Sequence, residues 1–410
     1  MKKFLALMLA LLMVLSLVAC GGGSSDDTAT DDTSTSDAPD IKIGAIYIGD
    51  ENEGYTAAHM NGLKAAMANL NIPEDCYIEY TVIPEDNTCY DKCVDLAEAG
   101  CNLIFTNSYG HQTYTQQAAN EYPEVQFVAL TGDLAALSGL PNLKNAFPHT
   151  FESRYVSGVV AGMKLKELMD AGEVTDPYVG YVGAFPYAEV VSGYTAFFLG
   201  VRSIVPEAHM DVQYTNSWFD LTKEAEAANA LIARGCVIIS QHADSTGAPS
   251  ACEAALAEGT TVYCVGYNID MLSVAPTAAL TSATNNWVKF YEYALTQVLN
   301  GEDIKTDWSE GYANDAVAIT ELGASCAAGT AEKVDEVIAG IKDGSLQVFD
   351  TASFTVGGEV VTSAMAIDTD GDWVNDTAEA IIDGAFVESY HRAAPYFALR
   401  IDGITELTAE

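Results

Sequence analysis

Positive charge is what this sequence has least of. Against 58 Asp and Glu stand 18 Lys and Arg, a formal net charge of −40. Two of those bases, Lys2 and Lys3, fall in a leader read below as removed, which leaves 16 bases against 58 acids, or −42. A field of that sign repels phosphate backbones and disfavours anionic lipid surfaces, so nucleic-acid binding is close to excluded. The sequence also lacks a Gly-x-Ser-x-Gly elbow, a His-Glu-x-x-His pair and a P-loop, which removes the commonest hydrolase and nucleotide-binding chemistries. Its six histidines, His59, His111, His149, His209, His242 and His391, are scattered rather than clustered. What is present is length and apolar content. The 410 residues predict two domains plus extras, and 49% apolar residues suffice for a sizeable core.

The first residues set the compartment. Lys2-Lys3, an apolar run from Phe4 to Ala19 and then Cys20 read as a secretory signal. That run is shorter than the roughly 20 residues a bilayer-spanning helix needs. Leu17-Val18-Ala19-Cys20 resembles a bacterial lipobox, in which Cys20 carries the lipid after cleavage; an ordinary cleaved signal with a chance Cys is the plainer reading. Residues 21–40 are Gly, Ser, Thr, Asp, Ala and one Pro, with six Asp and no base. Such a stretch buries no apolar surface and serves as a flexible tether. The expected organisation is a signal peptide over 1–19, a lipidated Cys and acidic linker over 20–40, and a folded part outside the cytoplasmic membrane. Eight further cysteines permit disulfides in that compartment. Cys101, Cys236 and Cys264 fall at strand starts or interiors, where Cys behaves as a small hydrophobe. Cys89-x3-Cys93 without a matching pair is a poor zinc signal.

From Lys42 onward short solid apolar runs alternate with helical periods. Ile43–Ile48, Tyr77–Ile83, Asn102–Thr106 and Val125–Leu130 read as strands, with helices over Tyr55–Leu70 and Tyr90–Ala99 between them. The pattern restarts after Phe147-Pro148, with helices over Arg154–Met169, Ala188–Ile204, Leu221–Ala233 and Pro249–Glu258. Strands Tyr178–Ala184, Met210–Thr215, Cys236–Ser240 and Thr261–Tyr267 alternate with them, and a last helix covers Asn286–Leu299. Solid strands alternating with helices predict parallel sheets covered on both faces. The fold class expected is α/β and bilobal, of the type I periplasmic-binding-protein kind, with a ligand cleft between two parallel-sheet lobes. The first lobe is expected over 41–150 plus about 280–315, the second over 151–279 plus about 316–410.

Ligands in such sheets sit beyond the carboxyl ends of the strands. Those loops include Gly49–Tyr55, Asn107–His111, Thr131–Asp133, Phe185–Tyr187, Asn216–Asp220, Gln241–Ser245 and Asn268–Asp270. Each holds an aromatic, a carboxylate or both, which suits a flat heteroaromatic ligand stacked between rings and met at its N–H edges by carboxylates and amides. Plainer roles compete: Asp220 as N-cap of the helix from Leu221, Asp270 as a turn cap, Trp218 and Phe219 as packing aromatics.

Further motifs carry a family resemblance. Gly183-Ala-Phe-Pro, Gly193-Tyr-Thr-Ala-Phe, Gly200-Val-Arg-Ser and Asn216-Ser-Trp-Phe-Asp220, with Ser240-Gln-His-Ala-Asp-Ser245, Gly266-Tyr-Asn-Ile-Asp270 and Leu280-Thr-Ser-Ala-Thr-Asn-Asn-Trp287, resemble the basic membrane protein family. In the first lobe Gly54-Tyr55-Thr56 with His59 and Gly62 fits, as does Phe151-Glu-Ser-Arg-Tyr155 with Gly158 and Ala161-Gly162. The resemblance spans about residues 41–300. It implies a lipoprotein that binds a purine nucleoside or base as a monomer and serves the permease subunits of an ABC importer, touching the membrane only through the lipid on Cys20. It points to Tyr55, Tyr109, Phe185 and Trp218 as ring contacts, to Asp244, Asn268 and Asp270 as polar anchors, and to Asn286 as a further contact. Two departures bear on the ligand. Family members that bind nucleosides carry a Lys after the Thr-Ser of the late crossover, where it holds the ribose; Asn285-Asn286 stand here. Their first loop reads Asp-x-Ser-Phe-Asn; here it is Glu53-Gly54-Tyr55-Thr56. A free base or another small flat heterocycle is therefore as open as a nucleoside.

Beyond residue 300 the reading thins. Val334–Lys342 is helical, and Val356-Gly357-Gly358-Glu359-Val360 reads as a hairpin. Asp368, Asp370, Asp372, Asp376 and Glu379 have the spacing of an EF-hand loop, but Trp373 stands where that loop needs Gly, so an acidic surface turn competes with calcium. No other cofactor is expected. The tail His391–Gly403 reads as a return strand. The competing classes are a sensor subunit presenting the same ligand to a membrane receptor, and a nucleoside-cleaving enzyme using Asp50, Asp244 and Asp270 with His111 and His242 as an acid/base pair. Sugar or amino-acid ligands are a further alternative; the amino-acid case is weak because the strand-end loops contain no Arg or Lys.

Overall fold

The computed structural model describes residues 41–367 and 376–407. The signal segment, Cys20, the acidic linker and Asp368, Asp370 and Asp372 lie outside them. Folding starts with β1 (Ile43–Ile46), α1 (Gly54–Asn69), β2 (Tyr77–Tyr80), α2 (Asn87–Glu98), β3 (Leu103–Thr106), α3 (Gln112–Glu121), β4 (Gln126–Ala129), a short α4 (Leu134–Ser138) and β5 (Leu143–Ala146). The strands pair in parallel in the order β5-β4-β3-β1-β2. Ile43 and Ala45 pack with α1 on one face, Ile46 with α2 and α3 on the other. Gly44 leaves the room on the second face that Leu96 fills. A strand buried on both sides is the reason these runs are solidly apolar rather than alternating.

The second lobe repeats the plan with α5 (Thr150–Asp170), β6 (Tyr178–Gly183), α6 (Ala188–Arg202), β7 (His209–Tyr214), α7 (Leu221–Ala233), β8 (Ile238–Gln241), α8 (Gly247–Ala257), β9 (Tyr263–Tyr267) and β10 (Ala279–Asn285). Their order is β10-β9-β8-β6-β7. Both sheets thus reverse direction beside their first strand, between β1 and β3 and between β6 and β8, and such switch points open a crevice at the strand ends. Helices α5 and α6 cross almost in backbone contact: a methyl group on Gly158 would run into the Phe197 carbonyl, and one on Gly200 into that of Tyr155.

Three segments join the lobes: Phe147–His149, the junction at Asn285–Trp287, and the stretch from β11 (Asp307–Trp308), paired with β5, to β12 (Val317–Ile319), antiparallel to β10. Between the last two, α9 (Trp287–Leu299) packs Trp287, Tyr291 and Leu295 onto the first lobe, with α1. The junction is later than the sequence placed it. Residues 279–285 form β10 of the second sheet, so the first lobe regains the chain near 286 and not 280.

After α10 (Thr330–Asp343) the chain makes a hairpin of β13 (Met365–Ile367) and β14 (Thr377–Glu379) and another of β15 (Ile381–Ile382) and β16 (Ala385–Phe386). The expected turn at Gly357-Gly358 forms, with both glycines at positive φ and Val356 bridged to Glu359. The return strand is β17 (Ile404–Leu407), parallel to β7, and not His391–Gly403. That stretch is irregular because its backbone and side chains hold other groups. The Ala393 amide donates to Asp307 (2.6 Å), Ala393 and Ala394 pack on Phe147, and Tyr396 and Phe397 fill the second lobe's core.

Candidate ligand-binding site

The strand ends of the two sheets face each other across a cavity of about 460 Å³, a volume typical of small-molecule sites. The first lobe supplies the loop after β1, Tyr55 from α1, Val82, Asn107, Tyr109 and Thr131. The second supplies Glu189 from the first turn of α6, Trp218 and Phe219 after β7, His242 and Asp244 after β8, and Tyr267 at the end of β9.

On the first wall nearly every polar group is engaged within its own lobe. Glu53 caps α1, its two oxygens accepting from the Tyr55 and Thr56 amides at 2.8 Å each. Asn107 accepts from the Ile48 amide (2.8 Å) and donates to the Thr56 hydroxyl (3.2 Å). The Tyr55 hydroxyl donates to the Asn107 carbonyl and sits 3.1 Å from the Thr131 hydroxyl. Tyr109 donates to Asp133 Oδ2 (3.4 Å), the same oxygen that Arg392 of the tail meets at 3.7 Å.

The second wall is braced from behind. Asp220 caps α7, as the plainer reading had it, accepting from Thr222 (3.1 Å) and Lys223 (3.0 Å) amides. Glu224, fully buried, accepts from the Asp220 and Ser245 amides at 3.1 Å and so ties the two cavity loops together. The Asp244 amide donates to the Trp218 carbonyl (2.8 Å), and its Oδ1 accepts from Asn268 (2.7 Å). Arg154, wholly buried in α5, donates to the Gln241 carbonyl (2.6 Å) and lies 3.6 Å from the centre of the Tyr267 ring.

Burial governs the charges. It pushes Glu189 up to about 7, against the opposing pull of Arg154. It also raises Asp244, helped by the neighbouring carboxylates of Glu53, Glu224 and Glu189. His242 is held well below the usual imidazole range by burial and by Arg154, so it is neutral.

Of the eight ligand residues expected from sequence, Tyr55, Tyr109, Trp218 and Asp244 line the cavity. Phe185 is not among the lining residues and is stacked on Tyr187 (5.1 Å) and edge-on to Trp218 (5.2 Å). Asn268, at φ 64°, faces Asp244 rather than the cavity and positions its carboxylate. Asp270 is misplaced as an anchor: it is exposed and accepts from the Leu272 amide (2.9 Å), the turn cap of the plainer reading. Asn286 is misplaced too, donating to the Asp315 carbonyl (2.9 Å) at the lobe junction. The acid/base pair does not assemble, since His111 is buried against the Ile83 carbonyl (2.9 Å) away from the cavity that His242 lines. The eight described cysteines are unpaired thiols. In the acidic loop Asp376 and Glu379 are described. Glu379 accepts from Ser363 (2.6 Å) and from the Ala364 and Ile381 amides (2.9 Å each), which hold it at about 2.

Sequence reasoning missed Glu189 and Tyr267. The usable signal was position: Tyr267 ends β9, and Glu189 opens the helix that follows β6 beside the switch point.

Residues 44–345 match the family described as ABC transporter substrate-binding protein PnrA-like (Bmp). The chain belongs to this family. A purine-binding protein of Brucella abortus is 34% identical over 263 residues, 64% of this chain and 69% of that one. A Haloferax volcanii protein named for glucose binding in an ABC transporter is 30% identical over 282 residues, 68% and 67% of the two chains. The solved structure of an Aeropyrum pernix solute-binding protein superposes with a TM-score of 0.62 at 15% identity, covering 81% of this chain and 95% of that one. This member of the Bmp family is therefore an extracytoplasmic substrate-binding protein of the ABC-transporter kind. Among the described residues no helix is long and apolar enough to cross a membrane.

Proposed function

We propose that this Bmp-family protein carries a purine base or nucleoside between its lobes to an ABC permease, tethered to the outer face of the membrane by lipid on Cys20. The observation that carries the ligand class is the pairing of aromatic and carboxylate groups in one cavity. Tyr55, Tyr109, Trp218 and Tyr267 offer ring faces, while Glu189 and Asp244 offer acceptors, and among the described residues no Lys or Arg lines the walls. Stacking contributes about 0.5–1.5 kcal/mol per ring and each buried charge-assisted hydrogen bond about 1.5–3 kcal/mol. The name of the Brucella relative supports the same class, while that of the Haloferax relative makes glucose the necessary control. With no lysine at the late crossover, the ribose of a nucleoside has no cationic partner there, and a free base fits as well.

A thermal-shift series against purine bases, nucleosides, glucose and amino acids tests the reading. A purine at 100 times its Kd stabilises by about 2.7 kcal/mol, a shift of several degrees. A response to glucose and to no purine overturns it.

A further inference from the structure

Resting on the purine reading, we infer that Glu189 and Asp244 together read an exocyclic amino group on the ligand and so select an aminopurine over its oxo counterpart. The groups left open in the cavity carry the argument. Asp244 is 8% exposed, and of its two carboxyl oxygens only Oδ1 accepts a hydrogen bond among the described residues. Its Oδ2 meets no donor among the described residues. Glu189 contacts His242 Nε2 through Oε1 at 3.4 Å, and its Oε2 is likewise open. A neutral His242 can donate there while its Nδ1 accepts from Tyr181 (3.3 Å). Both carboxyl groups border the same cavity. An amino group has two hydrogens directed to either side, one for each carboxylate. A carbonyl in its place sets lone pairs against lone pairs. The Tyr267 hydroxyl and the Trp218 indole N–H, also open, can serve ring nitrogens.

The pH dependence of the discrimination follows the charge of Glu189. Glu189 is faced by Arg154 from α5, Tyr181 from β6, Tyr55 from α1, Tyr267 from β9, and His242 and Asp244 from the loop after β8. Asp244 is faced in addition by Glu53 and Glu224. With burial holding Glu189 near 7, its carboxyl gains a proton as pH falls through neutrality, and a protonated carboxyl can donate to a carbonyl oxygen. The amino preference is therefore strongest above neutrality and fades in acid.

The test is isothermal titration of the purified protein with adenine, hypoxanthine and unsubstituted purine, and with adenosine and inosine, near pH 8 and near pH 5.5. The expected result is the amino ligand about tenfold or more tighter than its oxo partner near pH 8, with the ratio closing in acid. Glu189→Gln, whose amide carries no charge and does not titrate, flattens that pH dependence while ring stacking persists. Asp244→Asn serves as the second variant and lowers the ratio at the higher pH. Equal or tighter binding of the oxo ligand near pH 8, or a wild-type ratio independent of pH, overturns the inference and leaves the purine reading standing. Absence of heat with every purine overturns the purine reading, and this inference with it.

Discussion

The two walls of the cavity are built on the same plan and left in different states. On the first, Glu53, Asn107, Thr131 and the Tyr55 hydroxyl all bond within their own lobe. On the second, Glu189, Asp244 and Tyr267 keep polar atoms open towards the cavity, while the bonds that fix them come from behind, through Asn268, Glu224 and Arg154. A surface whose hydrogen bonds are closed offers shape and ring faces, and a surface with open carboxyl oxygens offers energy to a ligand that brings donors. The difference teaches that symmetry of fold does not imply symmetry of wiring: the first lobe presents a set wall, the second one with open acceptors.

The sharpest way to break that comparison is Asp244→Ala. It removes the open acceptor and strands Asn268, so affinity should fall about 100-fold by titration calorimetry, with the circular-dichroism spectrum unchanged. A loss under threefold would return the second wall to a packing role.

Glu388 provides a carboxyl buried to the same degree but outside the cavity. It is 6% exposed, and neither oxygen closes a hydrogen bond of good geometry. Burial pushes it up to about 7, against the pull of Ser192 and the Tyr396 and Phe397 amides. A carboxyl raised in the folded state contributes most below its unfolded value near 4.5, and that contribution is lost as pH rises through about 7. The rise corresponds to at most roughly 3 kcal/mol, and relaxation around the charge brings it to about 2. Glu388→Gln should therefore raise the Tm near pH 8, leave it unchanged near pH 4, and leave ligand affinity unaltered. A changed affinity would mean that the cavity and this tail site are one unit.

Trp218→Ala should weaken binding about tenfold through lost stacking, with little change in the preference between amino and oxo ligands. Loss of that preference would place discrimination in the rings instead of the carboxyls. Tyr55→Phe is the smallest effect and the mirror case. Removing a hydroxyl that bonds only within the first lobe should cost about 1 kcal/mol of unfolding free energy in denaturant titration, while affinity shifts less than threefold. A larger affinity loss would show that the first wall also reads the ligand's polar edge.

Much of this architecture was legible. The solid runs at Ile43–Ile46 and Leu103–Thr106 announce buried parallel strands because both faces of each are covered. The strand-end rule then located loops that border the cavity. It failed where a residue's direction, not its position in the chain, decides its role. Asp270 and Asn268 share a loop, yet the positive φ at Asn268 turns that amide towards Asp244, while Asp270 closes a surface turn. Glu189 escaped notice because a Glu in the first turn of a helix reads as a favourable charge at a helix N-terminus, and only the opposite lobe reveals that it faces a cavity. The lobe boundary slipped because Ala279–Asn285 is small and polar, and its strand character comes from pairing with β9.

The contact between Gly158 and Gly200 bears on how such a molecule can move. Two helices seated carbonyl against Cα have no slack through which to slide, so α5, α6 and the sheet beneath them must travel as one piece. Since α5 begins directly at the Phe147–His149 junction, any rotation there is delivered undamped along its 21 residues. The long helix is a lever arm, with its fulcrum at the connecting strands and its load the wall that holds Glu189 and Asp244.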